Sequence, residues 1–201
     1  DVYKRQALAG RIMGKHIVYH YHENAFAKGA FYKALATAMQ KLAHEIICVS
    51  EYQASFLKRE KGVIVAPNSL SNNFTNRLIP TPQTAFERKQ ILMLGSLKLY
   101  KSPLEFIELA QKLPQFTFEL VVNDTQENIN GFMKEHKINI CKNLTIYPQQ
   151  NDVVPFYNQA SLVLNLSDKK QVVETFGLTA LEAMSAGSVS YTHLTLPTTS
   201  R

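Results

Sequence analysis

Alternation of two hydrophobic periods constrains this chain more than any other feature. Short, unbroken apolar runs such as Ile46-Ile-Cys-Val49 and Val63-Ile-Val-Ala66 alternate with longer segments whose apolar residues fall at helical spacing. A strand that is apolar on both faces needs cover on both, and a parallel sheet with right-handed helical crossovers supplies it. Strands are expected at 16–21, 46–49 and 63–66, with helices at 31–44 and 51–59 between them, a βαβαβ series. Pro80 and Pro82 then interrupt. Each denies a ladder donor and disfavours helix in the residue before it, so a linker is expected over 79–89.

A second series follows, with strands at 90–94, 116–122, 144–147 and 161–166 and helices between them. Pro103 opens a helix whose pattern of Leu104, Ile107, Glu108, Ala110 and Leu113 is amphipathic, ending before Pro114. Another helix spans 151–158, and a last one runs from near Gly177 to Ala186 with Gly187 as its cap. The expected fold class is α/β: two Rossmann-like parallel-sheet domains, both incomplete, over 7–78 and 90–188. In such sheets ligands collect beyond the carboxyl ends of the strands.

The two ends carry a different signal. Residues 1–6 can be encoded as GATGTGTATAAGAGACAG, and the reverse complement of that DNA, read from its third base, encodes Val-Ser-Tyr-Thr-His, the sequence of residues 189–193. Inverted copies of one DNA sequence point to translated sequencing adapter. Residues 1–6 and 189–201 are therefore set aside, Tyr191 and His193 included, and the remainder is read as a truncated gene fragment. The formal charge is +6, of which Asp1, Lys4, Arg5 and Arg201 account for a net +2, leaving +4. So modest an excess suits an anionic ligand, an acidic membrane surface or merely a solvated face. No Lys/Arg block is interleaved with aromatics, and finger, homeodomain and RNP patterns are missing, which argues against nucleic acid. Cys48 and Cys141 stand far apart in sequence and suit reduced, structural thiols. The sequons Asn73-Phe-Thr75 and Asn143-Leu-Thr145 are frequent by chance and carry no weight.

Chemistry concentrates in Glu174-Thr-Phe-Gly-Leu-Thr-Ala-Leu-Glu182. A helix opening at Phe176, Gly177 and Leu178 presents unbonded amides and the positive end of its dipole, where an anion such as a diphosphate fits. Gly177 lets the backbone come close. Glu174, just outside the helix, suits hydrogen bonds from sugar hydroxyls, and Glu182, expected about two turns in, suits the two hydroxyls of a ribose. Two glutamates alone would more readily describe a surface helix.

The longer run Glu174-Thr-Phe-Gly-Leu-Thr-Ala-Leu-Glu-Ala-Met-Ser-Ala-Gly187 resembles the E-x-F-G-x-x-x-x-E-A-M signature of family 4 glycosyltransferases of the GT-B fold, and the similarity extends over nearly all of 16–187. The resemblance implies that 7–78 is the C-terminal part of an acceptor-side domain and 90–188 a truncated donor-binding domain. Leu92-Met-Leu-Gly-Ser-Leu-Lys-Leu-Tyr-Lys101-Ser-Pro is similar to the family's strand and loop that bring an arginine and a lysine to the donor diphosphate. Lys101 matches the lysine, whereas Ser96 stands at the arginine position and Ser102 where a glycine usually follows. Serine lacks the charged fork with which arginine grips phosphate, and Lys98 is a candidate replacement. Val18-Tyr-His-Tyr-His22 is similar to the strand end where the family keeps a histidine near the transferred sugar; His22 is assigned, with His20 the competing register. Ile47-Cys-Val-Ser50 and Val65-Ala-Pro-Asn68 resemble further strand ends of the cleft, with Ser69 in place of a glycine.

What the resemblance implies is retaining hexosyl transfer from a nucleotide-sugar donor to a hydroxyl of a glycan or lipid-linked acceptor, in cell-envelope polysaccharide or lipopolysaccharide synthesis. The setting would be the cytoplasm, with at most peripheral contact at the inner face of the membrane. His22 and Glu174 would be catalytic, and Lys101, Phe176, Gly177, Leu178 and Glu182 donor-binding. No carboxylate nucleophile is evident, so a front-face route is expected in which the leaving phosphate takes the acceptor's proton. No Asp-x-Asp occurs, and neither metal nor cofactor is expected. Two other readings stand beside this one: another GT-B enzyme, a nucleotide-sugar epimerase or phosphorylase, and a noncatalytic sugar-nucleotide-binding protein, suggested by Ser96 and Ser102. The fragment alone is expected neither to turn over nor to bind donor tightly.

Overall fold

The computed structural model describes residues 2–21, 29–80, 84, 86–168 and 177–192. The chain divides into two compact units whose boundary in sequence falls between Ser69 and Leu70. In the first, helix α1 (Val2–Ile12) is followed by β1 (Val18–Tyr21), α2 (Ala30–Leu42), β2 (Glu45–Cys48), the single-turn α3 (Glu51–Ala54) and β3 (Val63–Val65). The strands lie in the order β1-β2-β3, all parallel, with Tyr21 opposite Cys48 and Cys48 opposite Val65. Tyr21, Ala43, Ile46 and Cys48 form the core of this unit.

Helix α3 stops well short of the expected residue 59. Ser50 caps it, its Oγ accepting from Gln53 N at 3.1 Å, but Arg59 is drawn away to another task. The Arg59 guanidinium donates to the carbonyls of Gln40, Ala43, His44 and Lys61 at 2.7 to 2.8 Å. Carbonyls in the last turn of a helix have no intrahelical donor, so one side chain closes α2 and fastens the entry to β3.

In the second unit, α4 (Asn72–Thr75) leads to β4 (Gln90–Gly95), a 3₁₀ turn (Leu99–Lys101), α5 (Pro103–Lys112), β5 (Thr117–Val122), α6 (Gln126–Glu135), β6 (Leu144–Tyr147), α7 (Val154–Gln159), β7 (Leu162–Asn165), α8 (Leu178–Ser185) and β8 (Val189–Thr192). The segment around Pro80, read as a linker, is tied to α7. Ile79 N donates to Asn158 Oδ1 at 2.9 Å, Arg88 donates to Asn158 O, and Arg77 pairs with Asp152 just ahead of the helix.

The five strands run parallel in the order β6-β5-β4-β7-β8. The chain moves outward from β4 through β5 to β6, then returns to the other side of β4 for β7 and β8. With right-handed crossovers, helices before and after that reversal fall on opposite faces. Accordingly Ile91, Met93, Phe118, Leu120 and Val122 pack with Phe106, Ile107 and Ala110 of α5 and Ile129 of α6. On the other face Leu92, Val121 and Val163 pack with Tyr157 of α7, Ala183 of α8 and Ala186 just beyond it.

Two elements were not delimited in the sequence. Helix α6 buries only Ile129 and is mostly polar; the Thr125 cap starts it, its Oγ1 accepting from Asn128 N at 3.3 Å. Strand β8 falls in the segment read as adapter and pairs Val189 to Thr192 with Leu162 to Asn165 in register. Among the described residues no helix is long and apolar enough to cross a membrane.

Candidate functional site

Where strand order reverses, the loops leaving the two neighbouring strands diverge and open a crevice beyond their carboxyl ends. Here those strands are β4 and β7. Their loops are joined, the amide of Asp168 donating to Tyr100 O at 2.8 Å.

The β4 loop is shaped by a 3₁₀ turn in which Lys101 N donates to Lys98 O at 2.8 Å and Ser102 N to Leu99 O at 2.9 Å. Ser102 then adopts φ 58° and ψ 44°, the left-handed region that L side chains enter at a cost. This is the position where the resembled family usually carries glycine, which enters that region freely. Pro103 follows as the first residue of α5, its φ already helical. The Nζ atoms of Lys98 and Lys101 each lie 5.9 Å from the centroid of the Tyr100 ring, so one aromatic ring is within cation–π reach of both. Lys98 is exposed, and Lys101 and Ser96 are half-buried.

On the β7 side, Gly177 caps α8, its carbonyl accepting from Ala180 N and Leu181 N at 3.0 Å. The amides of Leu178 and Thr179 precede those first intrahelical bonds and sit at the positive end of the helix. Gly187, with φ 73°, ends it. Because the helix starts at Leu178, Glu182 is its fifth residue, just over one turn in rather than two.

Glu182 Oε2 accepts from the hydroxyl of Tyr157 at 2.5 Å. Burial pushes the Glu182 carboxyl above its ordinary value, against the pull of that hydrogen bond. The Tyr157 phenol is pushed far up, by burial first and then by the bond and charge of Glu182.

Lys101, Gly177, Leu178 and Glu182 thus all belong to the second unit, on the β4 loop and on the helix reached from β7. His22, Glu174 and Phe176 lie outside the described residues. Strand β1 ends at Tyr21, and the competing His20 is an exposed residue within it. Among the described residues no group of His, Cys, Asp or Glu is arranged to hold a metal ion. Tyr157 was not among the residues expected at the site. It lies 25 positions before Glu182 on a different helix, and neither spacing nor periodicity in the sequence links the two.

A search of curated proteins found no match to the chain. Among solved structures, Anabaena Alr3699/HepE, crystallised with UDP and glucose, is similar with a TM-score of 0.71 at 20% identity, over 92% of this chain and 55% of that one. A glycosyltransferase from Rickettsia africae is similar with a TM-score of 0.63 at 16% identity, over 93% of this chain and 54% of that one. WaaG, a glycosyltransferase involved in lipopolysaccharide biosynthesis, is similar with a TM-score of 0.58 at 18% identity, over 87% of this chain and 55% of that one. At such identities the likeness is one of fold, GT-B, and the chain spans about half the length of these structures. The model of the family described as glycosyl transferases group 1 matches residues 76–190, which is more than half of the chain and contains both loops of the crevice. The chain belongs to the group 1 glycosyl transferases.

Proposed function

We propose that the second unit is the donor-binding part of a retaining glycosyltransferase, moving a hexose from a nucleotide sugar to a hydroxyl of a glycan or lipid-linked acceptor. The observation that carries this reading is the junction of the β4 and β7 loops at the reversal of strand order, one bearing Lys98 and Lys101 and the other leading into the N-terminus of α8. Positive side chains and open helix amides together suit the two phosphates of a leaving nucleotide.

In this mechanism Lys101 and the α8 amides stabilise the diphosphate as the glycosidic bond lengthens, and Lys98 supplies charge where Ser96 replaces the family's arginine. Glu182 accepts from the ribose hydroxyls. Glu174 orients the sugar, and His22 stands beside it; these two roles rest on the resemblance. A leaving-phosphate oxygen takes the acceptor's proton, so the route needs no carboxylate nucleophile and no metal. HepE was crystallised with UDP and glucose, and WaaG is involved in lipopolysaccharide biosynthesis, which makes UDP-glucose the first donor to try and cell-envelope glycans the first acceptor class. Such acceptors would be met at the cytoplasmic face of a membrane.

The test uses the full-length protein with a panel of nucleotide sugars, the anomeric configuration of the product being read by NMR. Retention is expected, and transfer persists in chelator. Lys101→Ala lowers kcat/KM roughly a hundredfold, since one charge-assisted bond in the transition state is worth about 2–3 kcal/mol. Glu174→Ala abolishes turnover. Free sugar phosphate or an epimer without acceptor product would replace the transferase reading by a phosphorylase or epimerase. Turnover indifferent to Glu174→Ala would remove that residue from the mechanism, and binding without turnover would leave a binding protein.

A further inference from the structure

We propose that Tyr157 is a positioning residue for the donor's ribose: by donating its hydroxyl to Glu182 Oε2, it holds the carboxylate ready to receive the ribose hydroxyls. The inference rests on the reading of Glu182 as the ribose ligand given above. Tyr157 is fully buried on α7, where a phenol hydroxyl needs an acceptor, and Glu182 supplies it. The ring is itself fixed. Phe74 of α4 meets it edge-on with centroids 5.7 Å apart, and Leu92, Val121, Val163 and Ala183 surround it in the same cluster. Behind it, Ser188 Oγ donates to Ala160 O at 2.8 Å, fastening the carbonyl that ends α7.

Among the described residues Glu182 Oε1 has no partner. A glutamate on a helix surface ordinarily samples several rotamers and loses that freedom on binding. Bonding to an immobile phenol removes the freedom in advance, which is how a preorganised site gains affinity. A carboxylate oxygen has two lone pairs, so Oε2 can still accept from a second ribose hydroxyl while bonded to Tyr157. The device is therefore specific to a ribose diol and irrelevant to the phosphates.

Two probe pairs test it in the full-length protein: UDP and GDP, each with its 2′,3′-dideoxy counterpart, titrated by calorimetry. Tyr157→Phe keeps the ring and removes the hydroxyl. It is expected to weaken the better-bound ribonucleotide about tenfold, the scale of one hydrogen bond to a charged group, and to leave its dideoxy form within about twofold. Phe74→Leu, which loosens the packing around Tyr157 but leaves its hydroxyl, is expected to lower the melting temperature without changing the ratio of the two affinities. Equal weakening of both forms by Tyr157→Phe, or weakening of neither, overturns the proposal while leaving the donor site intact. A wild type that binds ribonucleotide and dideoxynucleotide alike refutes the ribose reading of Glu182 itself, and one that binds neither nucleotide refutes the donor site. Should Tyr157→Phe not fold, the wild type answers directly. The Tyr157 hydroxyl proton is expected as a slowly exchanging NMR resonance that shifts with the ribonucleotide and not with the dideoxy form, and equal shifts with both would overturn the assignment.

Discussion

The side-chain amide of Asn143 donates to the carbonyls of Ala110, Leu113 and Phe116 at 2.9, 3.2 and 3.0 Å, gathering the turn that joins α5 to β5. The sequon that begins at Asn143 thus marks a structural amide. Asn143→Ala is expected to lower stability by about 2 kcal/mol, measured as a shift of the urea midpoint, because carbonyls of buried Ala110 and half-buried Leu113 and Phe116 lose a donor. Ser102 makes the opposite prediction. At φ 58° a glycine relieves strain of about 1 kcal/mol, partly offset by its larger unfolded entropy, so Ser102→Gly should raise stability by somewhat less than that. A midpoint that falls would mean that the serine is held by more than its backbone. Both residues stood out in the sequence, one as a sequon and one as a departure from a family pattern, but only φ and the bond partners show what each does.

Strands were the most legible elements. Leu144–Tyr147 forms as expected, and the other strands expected from the sequence begin and end within two residues of expectation, because a parallel strand covered on both faces must be continuously apolar. Helix α5 was equally legible from Pro103 and its apolar face. The bounds of helix α6 were not, since a single buried residue, Ile129, leaves almost no period to detect, and its start is set by a capping threonine. Thr125→Ala should therefore cost about 1 kcal/mol, read from chemical unfolding followed by circular dichroism; no change would show that packing of Ile129 suffices. Helix α3 failed in the other direction. Its expected later turns were spent on Arg59, which serves the end of α2 instead. Tyr157 and Glu182 meet because α7 and α8 cover the same face of one sheet, a fact of topology invisible to local pattern.

For the molecule as a whole, the alternation of periods announced parallel sheets but said nothing of strand order. That order is decided where the chain turns back from β6 to β7, and the reversal creates the crevice. Acid should act on the second unit through two aspartates. Asp152 is held below its ordinary value of 3.8 by the Arg77 hydrogen bond, and Asp124 by the side chain of Asn128 and the amide of Thr125. A carboxyl whose folded value is depressed stabilises the fold fully above its unfolded value and loses that contribution as pH falls through the folded one. The melting temperature is thus expected to drop on acidification below about pH 4, and less steeply in Asp152→Asn than in the wild type, as melts at successive pH values would show. Parallel slopes would assign the acid sensitivity elsewhere.

The bond from Asp168 N to Tyr100 O has a consequence for descent. It runs between main-chain atoms, so nearly every substitution at either position preserves it. This bond alone places no demand on either side chain, so it keeps the loops joined whatever side chains stand there, and an alignment would pass over the contact. Only proline at position 168, which has no amide hydrogen, would cut it.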